Sequence, residues 1–166
     1  METNLPMEDL RLSTVRFTCD KGHVFEQLHF CCDFCYGFFV LRSAGNRYAY
    51  LEAAIDPRWD EIKGYVVADP RCAGMGWEDR GSCIQAIYGP ACCDPDEDGY
   101  PYEIGFRPIC PDCGSIKWPH CSVLENEENM VAASIPPVAH TAWDRMPPEE
   151  RSVRVGKLIE EYLSGK

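Results

Sequence analysis

No run of about 18 consecutive apolar residues occurs in this chain, so it offers no membrane-spanning helix. Basic residues are also scarce, with 16 Lys and Arg against 27 Asp and Glu and a formal charge of -11. Non-specific nucleic-acid binding depends on Lys and Arg displacing counterions at phosphates, so this balance argues against that class. Several catalytic patterns are missing too. There is no His-Glu-x2-His, no His-x-Glu followed by Pro-Cys-x2-Cys, no Gly-x-Gly-x2-Gly and no Walker loop. The first ten residues carry Glu2, Glu8 and Asp9 and lack the basic-then-apolar order of a secretory leader. A reducing, cytoplasmic setting is therefore expected.

What the chain has in quantity is cysteine. Eleven cysteines in an oxidising compartment would leave one without a disulfide partner; in the cytoplasm the better reading is metal ligation. Thirteen glycines and thirteen prolines imply many turns and few long helices.

Arg11 to Thr18 and Val24 to Phe30 read as strands, and Gly37 to Arg42 with Arg47 to Ile55 as a hairpin around Ala44-Gly45-Asn46. Tyr65 to Ala68, Ile84 to Tyr88 and Tyr102 to Arg107 are further strand candidates, each bounded by Gly or Pro. Glu125 to Ala139 is polar, then proline-bearing, and reads as a surface run. Pro147 and Pro148 suit a helix start, with Glu149 and Glu150 at its positive end. Val155, Leu158, Ile159 and Tyr162 then form one apolar helical stripe. The expected fold class is α+β, mostly antiparallel strands closed by a C-terminal amphipathic helix. The expected division is an N-terminal module over 1–58 and a second β-rich module over 59–166, or one compact domain over 1–166.

Two cysteine constellations carry chemistry. The first is Cys19-Asp20-Lys21-Gly22-His23 followed by Cys32-Asp33-Phe34-Cys35. Zinc takes four soft or borderline donors at tetrahedral corners, and a Cys-x2-Cys turn supplies two of them from one tight knuckle. The stretch "CDKGHVFE" followed by "CDFC" resembles zinc-ribbon and treble-clef modules over about twenty residues. That resemblance implies a metal-held module and no particular activity. Cys19, His23, Cys32 and Cys35 are the ligands it implies, with Cys31 or His29 able to stand in for His23.

The second constellation is Cys110-Pro111-Asp112-Cys113-Gly114, a zinc-knuckle sequence. If Ile84 to Tyr88 paired antiparallel with Tyr102 to Arg107, Cys83 would fall at the same end as Cys110. Cys72 and Cys83 are then the favoured partners of Cys110 and Cys113. Two rivals stay open: Cys92, Cys93 or Cys121 in that site, or Cys32, Cys35, Cys110 and Cys113 around one ion. Under the favoured assignment two Zn2+ ions bind, and Cys31, Cys92 and Cys121 are spare buried thiols.

Asp94 to Gly99 begins like a calcium loop, but its twelfth position is Gly105 rather than a bidentate Glu, so it reads as an acidic turn. His120, His140 and Trp143 have no partner identifiable from spacing. Between Trp59 and Cys110 there are ten acids and four bases, a local excess that suits a basic protein partner. The leading expectation is a binding or adaptor protein held by structural zinc, with no catalytic residues. The alternatives are an immunity-type inhibitor of a basic toxin or nuclease, and a zinc- or thiol-dependent enzyme.

Overall fold

A computed structural model describes residues 11–30, 38–104, 109–124, 130–132 and 135–165. Its fold class is α+β, as expected, and the chain divides into two compact units that are interleaved along the sequence. One comprises residues 1–36 and 107–135, the other 37–106 and 136–166.

The first unit is an antiparallel sheet around β1 (Arg11–Thr18). β2 (Val24–Phe30) pairs along one edge, with Thr18 opposite Val24 and Leu12 opposite Phe30. β6 (His120–Leu124) and β7 (Met130–Ala132) share the other edge in tandem, β6 against Thr14–Thr18 and β7 against Arg11–Ser13. Alternation puts Val15, Phe17 and Phe25 on one face, where Phe17 stacks on Phe25 at 5.4 Å and meets Trp118 edge-on at 5.5 Å.

The second unit holds the larger core. Its sheet has the order β4-β3-β5, from β3 (Phe38–Ser43), β4 (Tyr48–Glu52) and β5 (Tyr102–Ile104). The β3–β4 hairpin turns where expected, with Asn46 at φ 59°. Among the described residues four α-helices accompany the sheet: α1 (Pro57–Ala68), α2 (Trp77–Cys92), α3 (Thr141–Arg145) and α4 (Pro148–Ser164). In α4, Val155 and Ile159 are fully buried and Leu158 and Tyr162 pack against the same core, as the stripe predicts. No helix among the described residues is long and apolar enough to cross a membrane.

Two expected strands are corrected. Tyr65 to Ala68 closes α1, and Ile84 to Tyr88 is the middle of α2. Helical spacing was present in both: Ile62 and Val66 form the buried face of α1, while Cys83, Ile84, Ile87, Tyr88 and Ala91 form that of α2. Tertiary burial of these faces outweighs the β-branched residues of α1 and the glycines of α2. Asp56 accepts from the Arg58 amide and Pro57 follows, an ordinary helix start. Of the expected strand Tyr102 to Arg107, Tyr102 to Ile104 is a strand and 105–107 lie outside the described residues.

Three helix ends are fastened by side chains. Asp94 accepts from the Thr141 and Ala142 amides and so caps α3. Arg58 grips Asp144 with two bonds of 2.9 and 2.6 Å. Glu61 accepts from both Trp143 Nε1 and Arg151, joining α1, α3 and α4. Asp96 accepts from the Asp98 and Tyr100 amides, so the Asp94–Gly99 segment is a self-closed acidic turn.

Gly89 lies against β5. A Cβ built there would stand 1.8 Å from the Tyr102 carbonyl oxygen, whereas one on Gly81 meets nothing within 4 Å. Gly89→Ala should therefore destabilise by about 1–3 kcal/mol through overpacking, and Gly81→Ala should stabilise by about 0.5–1 kcal/mol. Urea unfolding of the two variants checks the opposite signs.

Asp94 provides an acid-limb prediction. Burial would raise its carboxyl, but the Ala142 amide and the Thr141 contacts outweigh burial and hold it below the usual range. A depressed carboxyl contributes stability above its unfolded value of about 3.9, and that contribution disappears as pH falls through the folded value. Asp94→Asn should keep the cap at neutral pH and flatten the loss of thermal stability on acidification.

Candidate metal centre

Strand pairing across a long sequence gap assembles the centre. β2 starts at Val24 and β6 at His120, and both stand opposite Thr18. The segments just before β2 and just before β6 therefore meet at one end of the sheet, beyond the last residue of β1. Those segments are the two knuckles.

Each knuckle is a tight turn with a glycine at positive φ. In the first, the Cys19 amide donates to the His23 carbonyl at 2.9 Å, the Gly22 amide to the Cys19 carbonyl at 3.0 Å, and Gly22 has φ 86°. In the second, the Cys110 amide donates to the Ser115 carbonyl at 2.9 Å, the Gly114 amide to the Cys110 carbonyl at 2.8 Å, and Gly114 has φ 70°. A left-handed turn without a Cβ penalty is what each position requires. The Asp20 amide donates to the Lys117 carbonyl at 2.9 Å, and Ser115 Oγ donates to Asp20, so the turns are laced together.

Cys19, His23, Cys110 and Cys113 consequently face a common point. One donor atom from each lies within 4.8 Å of all the others. Cys19 Sγ is 3.8 Å from Cys113 Sγ and 3.5 Å from His23 Nδ1. A tetrahedral ion with bonds of about 2.3 Å to sulfur and about 2.0 Å to nitrogen has edges of about 3.8 and about 3.5 Å. The two distances have those lengths.

Cys19 and Cys110 are buried, while His23 and Cys113 are half-buried. Burial raises the Cys19 thiol, but the Lys21 and His23 amides and the Cys113 and Cys110 thiols outweigh it and bring it down to about 7. The Ser115 amide lowers Cys113, yet burial and its neighbours Cys110 and Cys19 leave it raised, so Cys19 is the first of the two to ionise.

The grouping differs from the sequence expectation. Cys110 and Cys113 sit with Cys19 and His23, whereas Cys72 and Cys83 are buried in the core of the other unit. The physical reason is that Ile84 to Tyr88 is helical, so the strand pair that would have brought Cys83 to Cys110 does not exist. Cys31, Cys32 and Cys35 lie outside the described residues. Cys121 is exposed on β6, opposite Phe17.

A second Cys/His group lies in the other unit. Donor atoms of Cys92, Cys93 and His140 all fall within 4.8 Å of one another, and all three residues are buried. Sequence spacing gave no sign of His140, which reaches the end of α2 from 47 or 48 residues further along the chain. Its Nδ1 lies 2.8 Å from the Cys92 carbonyl oxygen, and Nε2 lies 3.2 Å from Asp56 Oδ2. Tyr88 donates to the same Asp56 oxygen at 2.8 Å. Burial would lower His140, but the Asp56 carboxylate and the Cys92 thiol and carbonyl prevail and raise it to about 10. Burial would likewise raise Asp56, yet hydrogen bonds from His140, the Arg58 amide and Tyr88 hold it well below the carboxylate range.

No protein-family model, curated protein or solved structure matches the chain.

Tyr88 is fully buried, so removing its hydroxyl leaves one Asp56 contact unmade. Tyr88→Phe should cost about 1–2 kcal/mol, measured by urea unfolding. Tyr65→Phe is the comparison, because that hydroxyl reaches its acceptors only at 3.5 Å and should be nearly neutral.

Proposed function

We propose that this protein is a binding or adaptor protein whose smaller unit is held by a structural zinc ion, with an acidic surface that receives a basic protein partner. The observation that carries the zinc reading is the convergence of Cys19, His23, Cys110 and Cys113, with the Cys19–Cys113 and Cys19–His23 separations at tetrahedral edge lengths. Three thiolates and one imidazole complete a four-coordinate shell. A shell closed by protein donors leaves no position for substrate or water, which favours a structural ion over a catalytic one.

The partner reading rests on charge and on one exposed anchor. The chain carries -11, and an ion bound by three thiolates and a neutral imidazole leaves that site at -1, so metal does not relieve the excess. Trp77, 81% exposed, begins α2 beside the exposed acids Glu78 and Asp79. An exposed indole on an acidic helix start suits an Arg or Lys side chain, which gains cation–π contact and a favourable field.

Purified protein should carry zinc, measured by elemental analysis, and Cys19→Ser or Cys110→Ser should each lower the zinc content by one ion per chain. Cys121→Ser should leave it unchanged. Because structural zinc contributes apparent free energies of about 10–16 kcal/mol, a strong chelator should abolish the protected amides of β1 in hydrogen exchange. Undiminished zinc in both variants overturns the assignment. For the partner, crosslinking in cells should recover a basic protein whose complex dissociates as salt rises and weakens in Trp77→Ala. An acidic partner, or binding indifferent to salt, overturns that half.

A further inference from the structure

The group at the end of α2 has the features of a site rather than of ordinary core. Cys92, Cys93 and His140 are 2%, 8% and 7% exposed, and they bring two thiols and an imidazole together in the interior. Three elements supply them: the last turn of α2, the residue that follows it, and the residue that precedes α3. A fourth, Asp56 at the start of α1, places a carboxylate against the imidazole.

The hydrogen bonds fix the orientation of the ring. The Cys92 carbonyl can only accept, so Nδ1 at 2.8 Å carries a proton and donates it. A backbone carbonyl holding one ring nitrogen is the usual outer contact of a metal-bound histidine, because it fixes the tautomer that presents the other nitrogen. That other nitrogen, Nε2, faces Asp56 Oδ2 at 3.2 Å and the Tyr88 oxygen at 3.3 Å. The Tyr88 hydroxyl has one proton, and at 2.8 Å it is directed to Asp56. Nε2 is therefore surrounded by acceptors. Only a cation can reconcile them: a proton on Nε2, or a metal ion.

We propose that Cys92, Cys93 and His140 form a second cation site for a thiophilic divalent ion such as Zn2+, with Asp56 in contact with the imidazole. Two sulfurs and one nitrogen are donors that such an ion accepts and that Mg2+ and Ca2+ do not favour. Burial of all three Cys/His residues makes the site slow to exchange rather than open to substrate. The site is independent of the knuckle centre, since it lies wholly in the other unit.

Native mass spectrometry of the full chain, purified after growth in zinc-replete medium, tests this by counting ions per protein. The expected result is a count that falls by one in Cys93→Ser and again by one when Cys110→Ser is added. Far-ultraviolet circular dichroism establishes that Cys93→Ser is folded. Should that variant not fold, the wild type decides by its cadmium-substituted form, in which ions with two thiolates and ions with three give distinct 113Cd resonances. A count unchanged in folded Cys93→Ser, or the absence of a two-thiolate cadmium signal, overturns the proposal and leaves the group a proton-bridged junction. Loss of the knuckle ion alone in Cys110→Ser bears on the other centre only.

Discussion

The smaller unit depends on the meeting of two turns at one end of a sheet. Its buried apolar side chains among the described residues are few, Val15, Phe17, Phe25 and Ile135 beside Cys19 and Cys110. A core of that size buries little apolar area, and small units of this kind ordinarily need a disulfide or a metal. Among the described residues its cysteines Cys19, Cys110, Cys113 and Cys121 are free thiols. What joins residue 19 to residue 113, 94 positions away, is β1–β6 pairing on one side and the cysteine–histidine cluster on the other. Each makes the other possible. Pairing fixes the register that opposes the knuckles, and an ion at their centre would hold the ends of three strands in place.

The larger unit solves the same problem by ordinary means. It has a substantial core, and its helix ends converge on shared side chains rather than on loops. Asp56 is the clearest case, since one carboxylate caps α1, accepts from Tyr88 of α2 and faces His140 before α3. Glu61 repeats the arrangement with Trp143 and Arg151. Removing one member of such a buried junction leaves charged partners uncompensated, which is why these groups cost more to lose than surface pairs do.

Local signals were legible where the chain decides locally. β1 and β2 have the bounds read from alternation, the C-terminal helix begins at the prolines, and both knuckle glycines have the positive φ their turns need. The failures are non-local. α1 and α2 carry β-branched and glycine residues whose preferences oppose the helix, and only the buried faces of Ile62, Val66, Ile84 and Ile87 reveal what wins. That single misreading propagated to the site, because a strand at Ile84 to Tyr88 was the reason for placing Cys83 beside Cys110. Asp56, Tyr88 and His140 were beyond reach for a different reason. Their association depends on three helix ends meeting, and no spacing in the sequence encodes that.

The basic partner proposed above rests on how charge is distributed as well as on composition. Five of the described arginines, Arg16, Arg47, Arg58, Arg71 and Arg151, are committed to carboxylates of this same chain. These pairs fasten turns and helices, while Lys21, Lys63, Lys117, Arg145 and Lys157 stay exposed. Exposed acids such as Glu78, Glu149 and Glu150 keep their field toward solvent. A zinc ion held by three thiolates would add no positive charge to offset them. Each pair neutralises one acid along with its arginine, so the net charge of -11 is unchanged by them, and it is that net field which the proposed basic partner would meet.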